Sequence, residues 1–373
     1  MKARFGQPSL AVVKIGSSSL RRPDGRLDRD QVAILAAQVL QARERGTDVV
    51  LVSSGAVAAG MGLLQLDRRP GDLPTLQAAA AVGQSELIQE YQQVFARHGH
   101  PAAQILMSQD DFVRRNRYLN ARTTIRRLLE LGAIPIINEN DAIANEELSY
   151  GDNDHLAALV ASMLDADVLV LLSDVEGLFE GDPRVEPAAR LIEVVDSVED
   201  LDFAAIGGTG SYVGSGGMRT KVEAARVAVR SATHAVVAAA RRDNVLVEVL
   251  AGAPVGTWFV AQTQRIDARR LWIGFALNTH GKIFVDAGAA HALRTRQVSL
   301  LSVGVTGAHG GFAAGDAVEV VDPDGAVVAR GLTNYDASDV KMIAGRSTTA
   351  ASEEYGIGYA REVIHRDDLV VLQ

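Results

Sequence analysis

Five short runs, at residues 10–13, 49–52, 134–137, 168–172 and 235–237, are apolar with almost no interruption. A strand with one wet face alternates apolar and polar residues. These do not alternate, so both faces are predicted to be buried. Between the first two runs lies the stretch 31–45, apolar at Val32, Leu35, Val39 and Leu40. That spacing is helical, and Gly46 is a natural stop. The stretch 122–131 repeats the arrangement, with Gly132 just after it. Buried strands alternating with helices imply right-handed crossovers and a mainly parallel sheet sandwiched by helices, an α/β fold. In such sheets ligands bind outside the carboxyl ends of the strands, so chemistry is sought just after each run.

The pattern changes near residue 265. The stretch 265–270 is basic and polar and reads as a linker, extending over 265–278. Beyond it the chain becomes strand and turn, with runs at 282–285, 298–301, 317–321 and 326–329. Asp322-Pro323-Asp324-Gly325 is a turn signal between two of them. We therefore expect an α/β domain over 1–264 and a small, mainly β domain over 279–373. At 373 residues the chain is long enough for two real cores. The apolar stretch 156–172 is interrupted by Asp165 and Asp167, too early to span a bilayer. The polar segment 1–7 has no leader pattern, so a cytoplasmic protein is expected.

Four predicted strand ends deliver small polar groups. Lys14-Ile15-Gly16-Ser17-Ser18 follows the first strand and Ser53-Ser54-Gly55-Ala56 the second. Asn138-Glu139-Asn140-Asp141-Ala142 follows the run at 134–137, and Ser173-Asp174 the run at 168–172. Glycines there permit close backbone approach and leave amides open to anions. Gly151-Asp152-Asn153-Asp154 precedes a helical stretch at 155–164. One such residue suffices for an N-cap, so the others call for a further role. The loop Gly214-Ser215-Gly216-Gly217-Met218-Arg219-Thr220-Lys221 runs into another helical stretch. It lacks both the Walker A order and the dinucleotide spacing, yet has glycine amides, hydroxyls and a lysine at a helix start.

Basic residues number 37, of which only Lys2, Lys14, Lys221, Lys282 and Lys341 are lysine. Two of the five sit in the loops just described. A compact ammonium on a flexible stem can follow a moving phosphoryl group, whereas a guanidinium prefers a fixed fork. The chain has no cysteine, which excludes disulfides, thiolate metal sites and thiol nucleophiles. No two of its eight histidines stand at metal-ligand spacing. A net charge of −9 argues against a general nucleic-acid binder.

These motifs together resemble the amino acid kinase family, and within it the branch that acts on glutamate. The 279–373 segment looks like the PUA domain that bacterial members of that branch often carry, so the resemblance covers almost the whole chain. It implies ATP-dependent phosphorylation of the γ-carboxylate of L-glutamate, opening proline biosynthesis. Matching positions imply that Lys14, Lys221 and Asp154 are catalytic. Ser54, Gly55, Asp141, Asp152 and Asn153 would bind glutamate. Ser173, Asp174, Ser215, Gly216, Gly217, Met218, Arg219, Thr220 and Lys221 would bind the nucleotide. Ser173 and Ser215 stand where threonine is commoner in the family, but both keep the hydroxyl. Mg²⁺ would be carried by the nucleotide phosphates and water rather than by protein ligands. L-Proline as feedback inhibitor, a homo-oligomer, and handover of the product to glutamyl phosphate reductase are further implications.

The residue chemistry agrees with that expectation. A glutamate carboxylate, with a reference pKa near ~4.3, is already ionised and needs no general base. Its difficulty is repulsion from the triphosphate, about 4 kcal/mol per charge pair at ~4 Å and an effective dielectric of ~20. Cations must cancel that repulsion, and the substrate ammonium needs a carboxylate, for which Asp141 is the candidate. Two other readings are a kinase of the same fold for a different carboxylate and an RNA-binding PUA protein. Residues 279–373 carry 8 basic against 12 acidic residues, a net −4 that is wrong for a phosphate-binding surface. The segment 110–125, with Arg114-Arg115-Asn116-Arg117-Tyr118, is polar enough to be a mobile lid, a subunit contact or a solvated helical face.

Overall fold

The computed structural model describes residues 6–108, 110–143, 153–181, 183, 186, 188–198, 201, 217–263, 270, 273–274, 279–296 and 298–372. The chain divides into two compact units, residues 1–266 and 267–373.

The first unit is built on an eight-stranded sheet. Its strands are β1 (Leu10–Ile15), β2 (Asp48–Ser53), β3 (Ala102–Met107), β4 (Ile134–Glu139), β5 (Val168–Ser173), β6 (Val194–Val195), β7 (His234–Ala239) and β8 (Thr257–Phe259). They lie in the order β3-β4-β2-β1-β5-β7-β8-β6. All neighbours are parallel except β7 and β8. The helices are α1 (Arg29–Glu44), α2 (Ala56–Leu63), α3 (Leu73–Ala96), α4 (Asp110–Val113), α5 (Arg115–Glu130), α6 (Asn153–Leu164), α7 (Met218–Arg230) and α8 (Val245–Leu250). Helix α1 packs against α3 and α8 on one face, and α6 against α5 and α7 on the other. Alternate residues of the central strands feed each face: Val13, Leu51 and Val170 join the core with Leu35, Leu87 and Leu246. β1 is central, with β2 on one edge and β5 on the other. Asp167 fastens its start, one carboxylate oxygen accepting from Ser9 N, Ser9 Oγ and Leu10 N.

Helix starts follow the expected capping chemistry. Asp28 accepts from Gln31 N at α1, and Asp72 from Thr75 N at α3. Helices α2 and α3 approach at backbone contact. A Cβ on Gly60 would lie 1.8 Å from Ala79 O, and one on Gly83 1.8 Å from Ala56 O. No side chain fits at either position. Helix α5 begins at Arg115, well before the predicted 122, and Ile125 is its one residue described as buried. Its Arg122 and Arg126 both reach Asp165, just beyond α6. Most of 114–125 is thus exposed in the single chain, whereas Phe112 of α4 is buried. Strands β3, β6 and β8 were not anticipated.

The second unit carries a five-stranded sheet of β9 (Gly281–Val285), β10 (Val305–Gly310), β11 (Ala317–Val321), β12 (Val327–Leu332) and β13 (Leu369–Val371). Their order is β10-β9-β11-β12-β13, with β9 and β11 parallel and the other pairs antiparallel. Among the described residues it also carries helices α9 (Ala287–Arg296), α10 (Ala337–Ile343) and α11 (Thr348–Tyr355). Ile283, Val318, Val320, Leu293 and Val340 form its core. The expected strand at 298–301 is not one. Leu300 makes only an isolated bridge to Ile364, and the strand lies later, at β10. Most of the proposed linker lies outside the described residues. Gly274 within it accepts a hydrogen bond from Arg330 at 3.4 Å, so this part belongs to the second unit. No described helix is long and apolar enough to cross a membrane.

Candidate active site

Lys14 is the fifth residue of β1 and is 4% exposed. Its stem runs in the protein interior, and an ammonium at such depth requires a counter-charge. Asp154, fully buried in the first turn of α6, supplies it: Lys14 Nζ lies 2.5 Å from Asp154 Oδ1. Lys221, in the first turn of α7, approaches from the other side with Nζ 3.1 Å from Asp154 Oδ2. Thr220 Oγ1 shares its proton between Gly217 O at 2.8 Å and Asp154 Oδ2 at 3.2 Å. Burial alone would raise the Asp154 carboxyl, but the two lysine charges and their hydrogen bonds outweigh it. The carboxyl is held well below the usual carboxylate range. Two ammonium groups and one carboxylate leave a net single positive charge at the sheet's carboxyl edge.

Beside this cluster lies a chain of buried amides. Asn153 Nδ2 donates to Ser54 Oγ at 2.8 Å and to Asn138 Oδ1 at 2.9 Å. Asn138 Nδ2 donates in turn to Gln84 Oε1 at 2.8 Å. Ser54 stands just past β2, and the next residue, Gly55, begins α2 with φ of 114°, a left-handed conformation that favours glycine. Asp141 sits in a single 3-10 turn after β4. Burial pushes its carboxyl up to about 6, against the opposing charge of Arg69. Ser173 ends β5, and its hydroxyl donates to Asp174 at 3.0 Å. The loop beyond is anchored by Thr257 of β8, whose Oγ1 accepts from Leu178 N at 2.7 Å.

The structure thus gathers Lys14, Asp154 and Lys221 into one cluster and joins Ser54 to Asn153. Asp141, Ser173 and Asp174 stand at the ends of β4 and β5. Gly217, Met218, Arg219 and Thr220 form the start of α7, with Arg219 paired to Glu223 at 3.0 Å. Asp152, Ser215 and Gly216 lie outside the described residues. Sequence reading missed Gln84, Thr257 and the role of Asn138, although Asn138 lay inside a quoted motif. Among the described residues no group of three or more His, Asp or Glu could hold a metal ion.

Two lysines held on one buried carboxylate at the carboxyl edge of a parallel sheet form a site suited to an anionic ligand. The model of the amino acid kinase family matches residues 9–239, and that of the PUA domain residues 281–353. The chain belongs to the amino acid kinase family. Its relatives include glutamate 5-kinase of Thermobifida fusca, 48% identical over 100% of this chain and 95% of that one. Glutamate 5-kinase of Frankia casuarinae is 50% identical over 97% of this chain and 96% of its own. That of Salinispora arenicola is 48% identical over the whole of both chains.

Proposed function

We infer that the chain is a glutamate 5-kinase. It transfers the γ-phosphoryl group of ATP to the γ-carboxylate of L-glutamate, giving L-glutamyl 5-phosphate, the first step from glutamate to proline. The observation that carries this reading is the pairing of Lys14 and Lys221 on one buried carboxylate, in a chain similar over its full length to glutamate 5-kinases.

The acceptor oxygen is already anionic, so the site has no proton to remove. Its task is to bring two anions together and to stabilise charge as it moves. Asp154 fixes both ammonium groups before substrate arrives, which lowers the reorganisation needed during transfer. Lys14, rooted in the central strand, is suited to the phosphate entering from the sheet edge. Lys221, at a helix start, is suited to the nucleotide side with the amides of its loop. Ser173 and Asp174 would contact the nucleotide. Ser54, Gly55 and Asn153 would frame glutamate, and Asp141 would receive its ammonium. Mg²⁺ accompanying the nucleotide would neutralise phosphate charge, and it would be held by the phosphates and water rather than by protein side chains. L-Proline, which shares the α-carboxylate and amine of glutamate, would compete at the same place. Both substrates are cytoplasmic metabolites, and the reading places the enzyme there.

Coupled ADP release with a panel of L-glutamate, L-aspartate, N-acetyl-L-glutamate and UMP tests the assignment. Turnover should be highest with L-glutamate. Faster turnover with any other acceptor would replace it.

A further inference from the structure

The backbone amide of Glu139 is an unambiguous donor, and it fixes the polarity of the buried amide chain. It donates to Asn138 Oδ1 at 2.9 Å, so the other end of that side chain is the amino group. That amino group must meet an acceptor, and Gln84 Oε1 provides one at 2.8 Å. With its carbonyl end thus fixed, Asn138 Oδ1 accepts a second hydrogen from Asn153 Nδ2. The remaining hydrogen of Asn153 Nδ2 goes to Ser54 Oγ. Both amino hydrogens of Asn153 are therefore committed. Its Oδ1 is buried and has no hydrogen-bond partner among the described residues.

An acceptor held open at a buried position selects a donor. At neutral pH both carboxylates of an amino dicarboxylate only accept, and the ammonium alone donates. We propose that Gln84 is a positioning residue that sets substrate specificity through Asn138. The Glu139 amide sets which way Asn138 faces; Gln84, by accepting from its amino group, keeps Asn138 seated against Asn153, whose carbonyl is thereby held in place for the substrate ammonium, so that glutamate is told apart from dicarboxylates without an amine. The inference rests on the glutamate reading above. Reversing the chain would set the Asn138 amino group against the Glu139 N–H, donor against donor. Gln84 is itself 8% exposed, and its Nε2 has no partner among the described residues. Its carbonyl is the end that the chain uses. The neighbouring Gly83, pressed onto α2, fixes where on α3 that carbonyl is presented.

The test compares KM for L-glutamate with the inhibition constant of glutarate, the same dicarboxylate without the amine, in the full-length enzyme. Gln84→Met removes the acceptor at nearly constant volume, and Gln84→Leu removes it with another shape. Gln84→Glu keeps an acceptor. Whichever apolar variant keeps the wild-type melting profile suffices. It should raise the glutamate KM about tenfold, with turnover and ATP KM within about threefold and glutarate binding unchanged. Gln84→Glu should keep the wild-type preference. Unchanged preference in the apolar variants, equal weakening of both ligands, or equal loss in Gln84→Glu would each overturn the proposal. Wild-type enzyme that does not phosphorylate glutamate would remove the substrate reading itself, before any variant is compared.

Discussion

Lys14 and Lys221 hold opposite oxygens of a single carboxylate, that of Asp154. Neither ammonium can move far without leaving part of a buried charge uncompensated. The two cations are therefore fixed relative to one another by the fold.

Lys221 is expected to act mainly in the transfer step. Lys221→Ala should lower turnover by ~10² or more with a smaller change in glutamate KM. Lys221→Arg should recover little, because a guanidinium cannot occupy the place of a point ammonium beside Asp154. Steady-state kinetics of both variants check this, and near-normal turnover of the arginine form would contradict it.

Asp154→Ala removes the carboxylate that two buried ammonium groups share and should destabilise the first unit by about 3–5 kcal/mol. The wild-type carboxyl titrates below its unfolded value, so its stabilisation is complete above the unfolded pKa, near ~3.9, and is lost as pH falls through the lower folded one. The difference in melting temperature between wild type and Asp154→Ala should therefore be level from neutrality to mild acid and shrink only in strong acid. A difference that shrank on going from neutrality to mild acid would count against the assignment.

Asp141 has its carboxyl raised to about 6 in the empty site, so its burial costs stability above that pH and the cost is relieved on protonation. A bound ammonium favours the ionised form. Glutamate KM should then rise as pH falls below about 6, approaching tenfold per unit. Asp141→Asn should flatten that dependence, and Asp141→Ala should weaken glutamate and proline together while leaving ATP KM nearly unchanged. Normal proline inhibition in a variant that no longer binds glutamate would place the two ligands in separate sites.

Gly83→Ala should be severe. Its Cβ would overlap Ala56 O and Gly60 N, which are backbone and cannot swing aside. We expect loss of several kcal/mol of stability, as for overpacked cores of about 1–3 kcal/mol or more. In whatever folds, glutamate KM should rise, because α3 must shift Gln84. Glu90→Ala, two turns further along the same helix and beyond the close approach, serves as the control in thermal melts.

Truncation at Gln264 should leave a folded unit with measurable ATP-dependent glutamate phosphorylation, since every described site residue precedes that point. Truncation at Asn278 retains Ile273, which is fully buried, and Gly274 without Arg330 and Val370 of the second unit. The longer form should be the less soluble. Loss of activity in both, with the fold retained by circular dichroism, would give the second unit a part in catalysis.

Much of the site was legible because a doubly covered parallel sheet writes its strands as unbroken aliphatic runs. Their ends pointed directly to Lys14, Ser54, Asp141 and Ser173. Edge elements were harder. β3 reads Ala-Ala-Gln-Ile-Leu-Met and is half exposed, and β8 is three residues long, so neither makes a buried run. β10 contains two glycines, which strands usually avoid, whereas Val298, Leu300 and Leu301 imitated a strand. Gln84 gave no signal at all. It is a polar residue on a helix with many polar residues, and only the fold shows that it faces Asn138.

The central position of β1 has a consequence for the making of the protein. Its β2 edge is matched within the first 53 residues, but the opposite edge waits for β5, which ends at Ser173. On the ribosome, the lysine-bearing strand therefore keeps one edge open until well over a hundred further residues have emerged. An open apolar edge of this kind invites pairing with another chain. Phosphotransfer activity should accordingly report the completion of the first unit rather than of the whole chain: Lys14 meets Asp154 only once α6 has emerged, and its strand gains its second edge partner only afterwards.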